Sequence, residues 1–278
     1  MTNLRKTLII FDMKLNYAEM FNYGKPKITF KQVLIVFLVF TICVSMQSAI
    51  ESFSLIYTER HYSEYLRQLE VKKNTEGFDS LLEINPNIMA WITIDDIGLS
   101  LPIVKTTSKQ DEDFYLNHGV DNKKNALGCP YQPHDFDLAN NNSMFIGHSS
   151  YNFSLFNSTT NQSLFGKLNR YIDETRSSFN YNIKLETSSG IATYHIAGLF
   201  KFKITDTTDT KYTEVYSNIF NQNNLDTQAK FDSFMSTLEK YSKFSGSIDA
   251  SFGDKILTLF TCYYNLDYRT IIVATQIS

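Results

Sequence analysis

The chain has 278 residues, 43% hydrophobic and 14% aromatic, with 26 Lys and Arg against 29 Asp and Glu. That length accommodates one sizeable core of about 200 residues plus an appendage. The charge is uneven. Residues 1–31 carry six basic side chains against Asp12 and Glu19, residues 32–50 carry none, and the remainder holds 20 basic and 27 acidic groups, a net of −7. An acidic main domain speaks against nucleic-acid binding and is in keeping with ordinary solubility.

In chain order, the basic tail 1–31 leads into an uncharged apolar run over 32–50. Its last eighteen residues, Val33 to Ile50, would span roughly 27 Å as a helix, close to the thickness of a bilayer's hydrocarbon layer. The basic flank comes first, so the tail is expected to stay cytoplasmic and the bulk of the chain to lie outside. A cleaved signal peptide is the rival reading. The long leading region and the lack of a good small-x-small site after the apolar run count against it.

Residues 51–75 are polar and helix-favouring, with Tyr57, Tyr62, Tyr65, Leu66 and Leu69 at mixed three- and four-residue spacing. This predicts a juxtamembrane helix packed on the main domain, residues 76–278. A second short helix over Phe78–Ile84 is stopped by Asn85-Pro86. Strands are expected at Met89–Ile94 and Ser100–Val104 around the turn-rich Asp95–Gly98, then at Ala126–Tyr131 and Ser143–Ile146. Asp111–Leu116 reads as one helical turn, and Leu138–Ser163 is rich in Asn, Ser and Thr. Phe165–Ile172 reads as a short helix, and Asn182–Thr187 and Ala192–Phe202 as strands, the latter alternating Tyr194, Ile196, Gly198, Phe200. Leu225–Phe244 has the spacing of an amphipathic helix inserted between strands. Ile256–Thr261 and Thr270–Gln276 close the chain as a strand pair. The 22 Phe and 17 Tyr suit strands. A closed β-barrel is the economical architecture, because it removes exposed edges.

Three cysteines are present. Cys43 lies in the apolar run. A bridge between Cys129 and Cys262 is open arithmetically, but no spacing demands it. No CxxC or His-x-x-x-His pattern supports a metal site, and no cofactor is called for. If the last two strands form a hairpin, residues 263–268 are its loop, and Cys262 faces Arg269 across the mouth. Period-two alternation puts Thr258, Phe260 and Cys262 on one face, and Leu259 and Thr261 on the other. Taken singly, a lone cysteine is more often a small buried hydrophobe, and a lone arginine a surface ion-pair residue. His148 follows the apolar Met144-Phe145-Ile146 and Gly147, which permits close backbone approach. His61, His118, His134 and His195 sit in contexts that read as structural or solvent-exposed.

Thr258-Leu259-Phe260-Thr261-Cys262 matches the TLxTC signature of sortases, and the chain resembles class B sortases in particular. Ile84–Ile94 looks like the family's first strand and its approach. Leu101-Pro102-Ile103-Val104 followed by Phe114-Tyr115-Leu116-Asn117-His118 is similar to its next segment. Gly147-His148 matches the catalytic histidine, and Arg269 falls where the catalytic arginine opens the last strand. The long helix before the cysteine strand is a class B trait. The likeness covers roughly residues 76–277. It implies an eight-strand sortase barrel with N-terminal helices, Cys262 as nucleophile, His148 as proton donor and later base, and Arg269 as oxyanion stabiliser or as a holder of the substrate backbone through charge-assisted hydrogen bonds. Leu116, Thr261 and Phe260 are implied as groove residues. The implied partners are surface proteins bearing a C-terminal sorting signal, a peptidoglycan amine, and the membrane through the N-terminal helix. That setting is the surface of a Gram-positive cell.

The chain departs from the pattern at Ile146, where class B members often have Tyr, and at Phe260, where they often have Ser. Both neighbour the groove and bear on substrate sequence rather than on the reaction. Cys129 also stands where the family usually has an apolar residue. A surface cysteine peptidase and an inactive sortase-like binding module are the alternatives. A cysteine L,D-transpeptidase is disfavoured, since no Ser-His-Gly-Cys-like loop surrounds Cys262.

Overall fold

The computed structural model describes residues 29–150, 163–173, 178–204, 210–244, 248–262 and 267–278. The basic tail up to residue 28, most of the polar segment before Ser163, and positions 263–266 of the expected hairpin loop lie outside them. Two compact units are distinguished, Met1–Ile56 and Tyr57–Ser278, and the helix α1 (Phe30–Glu76) contributes to both. In the first unit, the large apolar side chains from Phe30 to Ile50 are exposed. This 21-residue stretch is long and apolar enough to cross a membrane.

In the second unit, Tyr62, Leu66 and Leu69 of α1 are buried, whereas Tyr57 is exposed. The three- and four-residue spacing of the buried residues gives α1 one apolar face here, and each burial is worth roughly 1.5–3 kcal/mol. Polar contacts fix the helix further. Lys73 pairs with Glu186, and Glu70 accepts from the Ser100 hydroxyl, which in turn accepts from the indole of Trp91 at 2.8 Å.

A 3-10 turn (Phe78–Leu81) follows. The fully buried Asn85 then redirects the chain, its amide donating to Val120 O at 2.7 Å and its oxygen accepting from Asn87 N at 2.9 Å. The strands are β1 (Ile88–Ile94), β2 (Leu99–Lys105), β3 (Tyr131–Gln132), β4 (Asn142–Ile146), β5 (Ser149–Ser150), β6 (Ser163–Leu164), β7 (Asn182–Thr187), β8 (Gly190–Lys203), β9 (Ile256–Cys262) and β10 (Tyr268–Gln276). Eight of them close a barrel in the order β1-β2-β3-β4-β9-β10-β8-β7, and β5 pairs with β6 separately. The barrel is antiparallel except at β2/β3 and β4/β9. The expected closed barrel of about eight strands is borne out.

Several elements differ from expectation. The strand expected over Ala126–Tyr131 shrinks to Tyr131–Gln132. Gly128 takes a left-handed φ of 67°, where a Cβ would come within 2.5 Å of Tyr115 O. Cys129 N donates to that same carbonyl at 2.8 Å, so this stretch is tied to the 3-10 turn Phe114–Leu116 rather than to a strand. Phe165–Ile172 divides into a 3-10 helix (Phe165–Asn169) and a short α2 (Arg170–Asp173).

In β8 the expected alternation breaks. Val273 pairs with Gly198, but Ala274 pairs with Ile196, so Ala197 is bulged. A bulge inserts one residue and swaps the faces beyond it. Tyr194, Ile196 and Leu199 therefore join one core, while Phe200 and Phe202 join a second.

That second core lies between β8, β9 and β10 and two helical segments. One is α3 (Thr210–Val215) with a π-helical turn (Tyr216–Phe220), and the other is α4 (Gln228–Tyr241). The side chain of Thr227 caps α4 by accepting from Lys230 N. Gly198 lets α4 approach closely, since a Cβ there would meet Leu238 at 2.1 Å. Sequence reasoning missed α3 and its π turn. The signal was present as Tyr212, Val215, Tyr216, Ile219 and Phe220, which recur at helical spacing.

Candidate active site

Cys262 closes β9 as a half-buried free thiol. Across the antiparallel β9/β10 ladder its partner is Arg269, so the expected facing pair is present in the register. On the other side of β9, β4 runs parallel with Asn142 opposite Ile256 and Ile146 opposite Phe260. Continuing that register by two residues sets His148 level with Cys262. Two hydrogen bonds hold the chain at that point. Gly147 N donates to Phe260 O at 3.0 Å, and the Thr261 hydroxyl donates to Gly147 O at 2.9 Å.

Cys262 and Arg269 thus face each other across β9 and β10, and the continued register of β4 sets His148, two residues beyond that strand's end, in line with them. Strands in a sheet lie about 4.8 Å apart, so side chains in one row can reach one another. The face is also fixed. Leu257 and Leu259 belong to the first core, while Ile256 and Phe260 border the second, as the alternation of β9 requires. Cys262 shares the face of Phe260. Arg269 shares that of Ile271 and Val273, which also pack into the second core.

Gly147 permits this approach. A Cβ there would come within 2.5 Å of the Phe165 side chain, and Phe165 is fully buried. His148 is half-buried, and burial holds its pKa below the ordinary 6.5 because a less solvated site disfavours the imidazolium. The neutral imidazole therefore dominates at neutral pH. Arg269 also donates to Tyr268 O at 3.2 Å.

The other histidines occupy structural settings or the surface. The His118 ring stacks on Phe114 with centroids 3.8 Å apart, and its Nδ1 lies 2.8 Å from Phe114 O. His195 Nδ1 is 2.9 Å from Asn182 Oδ1. His61 lies against Tyr57, and His134 is exposed.

Cys129 is buried and unbridged, with its sulfur 3.7 Å from Pro102 O and 3.6 Å from Pro130 O. Burial pushes its thiol pKa well above the ordinary value, so it supplies no thiolate. The bridge to Cys262 that arithmetic left open is not made. Among the described residues, no group of three or more His, Cys, Asp and Glu could hold a metal ion.

The three groove expectations fall in different places. Phe260 is half-buried on the face of Cys262, and its ring meets Phe220 at 4.6 Å. Phe220 in turn stacks on Tyr216, and Tyr216 on Tyr212. An aromatic ladder from the helical segment thus reaches the face that carries the thiol. Leu116 is half-buried in the turn Phe114–Leu116 and packs on the first core. Thr261 is different: it is fully buried, and its hydroxyl is committed to Gly147 O. Alternation turns its side chain to the face opposite the thiol, away from any groove there.

A thiol, an imidazole and a guanidinium in one row combine a nucleophile, a proton carrier and a fixed cation.

No protein-family model matches the chain. In sequence it is similar to Sortase B of Listeria monocytogenes serovar 1/2a (strain ATCC BAA-679 / EGD-e), at 23% identity over 195 residues, 68% of each protein. In structure it is similar to Clostridium perfringens sortase B, with a TM-score of 0.58 at 24% identity, covering 72% of this chain and 99% of that one. The Staphylococcus aureus sortase B–substrate complex matches with a TM-score of 0.57 at 19% identity, covering 84% of this chain and 99% of that one. The chain has the sortase B fold, and the likeness to class B sortases expected from its motifs is borne out.

Proposed function

We propose that this chain, with its sortase fold, is a membrane-anchored cysteine transpeptidase that joins surface proteins to a peptidoglycan amine. The observation that carries this is the pairing of Cys262 with Arg269 across β9 and β10, with Gly147, the residue before His148, hydrogen-bonded to Phe260 and Thr261 beside them. The Cys262 thiolate attacks a backbone carbonyl of the sorting signal, and the Arg269 guanidinium stabilises the oxyanion that forms. The His148 imidazolium gives its proton to the departing amine as the C–N bond breaks, leaving a thioester. The acceptor amine then loses a proton to His148 and attacks the thioester carbonyl. The C–S bond breaks, and a new amide remains. Water in place of the amine gives hydrolysis.

Phe260 and Leu116 are proposed to contact the sorting signal, with the Tyr212–Tyr216–Phe220 ladder beside Phe260 as a neighbouring wall. The Staphylococcus aureus relative is a substrate complex, in keeping with a peptide-binding face on this fold. Thr261 serves from beneath, by fixing the carbonyl next to His148.

Product analysis tests the reaction. The full-length chain, incubated with a pentapeptide sorting-signal library, should form a thioester at Cys262 and none at Cys129. Added triglycine should divert the product from acid to amide. Acid alone at saturating amine would make the protein a peptidase, and no thioester with any peptide would favour the inactive binding module.

The apolar, exposed stretch Phe30–Ile50 supports a single-pass anchor, and the basic tail before it supports an extracellular catalytic domain. In fractionated Gram-positive cells the chain should sediment with membranes and resist carbonate extraction. Release by carbonate would contradict an anchor.

A further inference from the structure

We infer that Asn169 is a positioning residue for the nucleophile, holding the Cys262 backbone from inside the barrel. The inference rests on the thioester chemistry proposed above. Asn169 ends the 3-10 helix Phe165–Asn169 and is fully buried. Its Nδ2 donates to Cys262 O at 3.0 Å, and its Oδ1 accepts from the Thr270 hydroxyl at 2.6 Å. One amide therefore grips the carbonyl of the nucleophilic residue and the side chain of the residue after Arg269.

Thr270 pairs with Thr261 across β9/β10, and Thr261 holds Gly147 O, the carbonyl just before His148. Each member of the reactive row is thus adjacent in sequence to a buried residue of one polar layer: Gly147 before His148, Thr261 before Cys262, and Thr270 after Arg269. The alternation of strands puts this layer on the face opposite the row. Asn169 joins the layer from a helical segment rather than from a strand.

The chemistry explains the residue type. A carbonyl oxygen needs a donor and the Thr270 hydroxyl an acceptor, and an asparagine amide offers both at one end. Leucine has nearly the same shape and offers neither, leaving a part-buried carbonyl without this donor. Aspartate keeps the acceptor but sets a second oxygen against Cys262 O. That contact becomes favourable only when the carboxyl is protonated. Cys262 closes its strand, so its carbonyl relies on this side chain, and small rotations there displace the sulfur relative to His148 and Arg269.

The test uses the full-length chain and compares wild type, Cys262→Ala, Asn169→Leu, Asn169→Asp and Thr270→Val. In peptide-amine ligation, Asn169→Leu should lose kcat by about 10- to 100-fold while KM stays within about threefold, because a misplacement of about 1 Å costs up to about 10²-fold in rate. The activity of Asn169→Asp relative to wild type should rise as pH falls, as the neutral carboxyl recovers the donor. A residue needed only for folding would not produce that pH-dependent ratio. Should Asn169→Leu not fold, Thr270→Val and Asn169→Asp carry the comparison. Wild-type kcat in Asn169→Leu, or a flat ratio for Asn169→Asp, would overturn the assignment while leaving the transpeptidase proposal intact.

Failure of wild type to form a Cys262 thioester would instead overturn the transpeptidase proposal. Iodoacetamide labelling of Cys262 across pH needs no peptide and still reads the positioning. A midpoint displaced in Asn169→Leu supports it, and one unchanged from wild type overturns it.

Discussion

Cys262→Ala is expected to abolish ligation and hydrolysis of the sorting peptide, lowering kcat by roughly 10⁴-fold or more, with no thioester detectable by mass spectrometry. The size follows from the chemistry. Without sulfur there is no covalent intermediate, and the guanidinium and imidazole alone can only polarise a bound amide. The fold should be unaffected, because the thiol is half-buried at a strand end and its removal opens no core cavity. Cys129→Ala provides the contrast. That thiol is buried and protonated, so activity should stay near wild type while stability falls. Appreciable turnover by Cys262→Ala would end the transpeptidase proposal outright.

His148→Ala should cost about 10²- to 10⁴-fold in kcat, the usual worth of a positioned acid–base. Arg269→Ala should cost about 10²- to 10³-fold, the usual worth of an oxyanion donor. Arg269→Lys should recover only part of this, since a point charge does not reproduce a planar fork.

The pH dependence has a definite sign. Burial depresses the His148 pKa, so its protonated share falls as pH rises through a point below 6.5. The limb of the kcat/KM profile assigned to His148 should therefore lie below that value and vanish in His148→Ala. Stability follows the same linkage. Above the unfolded value both states carry neutral imidazole, and nothing is lost. As pH falls through the unfolded value, the unfolded chain binds the proton first, and the folded state loses stability. An imidazole titrating at or above 6.5 by NMR would contradict this.

Relations between residues close along the chain are legible in the sequence itself. The alternation in Thr258–Cys262 and the short separation to Arg269 are enough to set the two side chains face to face, because a hairpin's register follows from its loop and its faces. The apolar run and Gly147 before His148 mark a strand end. The match to the sortase signature ties the three residues together where spacing alone leaves them separate.

Other features depend on contacts between distant segments. The parallel pairing of β4 with β9 joins residues 114 positions apart, and nothing in either strand alone selects the other as neighbour. The bulge at Ala197 reverses an alternation that looks regular, and it shows only in the pairing of β8 with β10. The helical segment Thr210–Phe220 is hidden among β-branched and aromatic residues that are weak helix formers; its packing against Phe260 and Phe202 outweighs that propensity.

Composition and pattern by themselves determined a strand-rich domain behind an apolar, membrane-length segment, and which residues of the Cys262 strand share a face. Those properties depend on neighbours a few residues apart. Only the closed barrel set the end of β4 beside the end of β9, committed the Thr261 hydroxyl to Gly147 O, and brought the Asn169 amide to the Cys262 carbonyl. Such placements arise from strand order and from the need of buried polar groups to find partners, and both are properties of the whole fold.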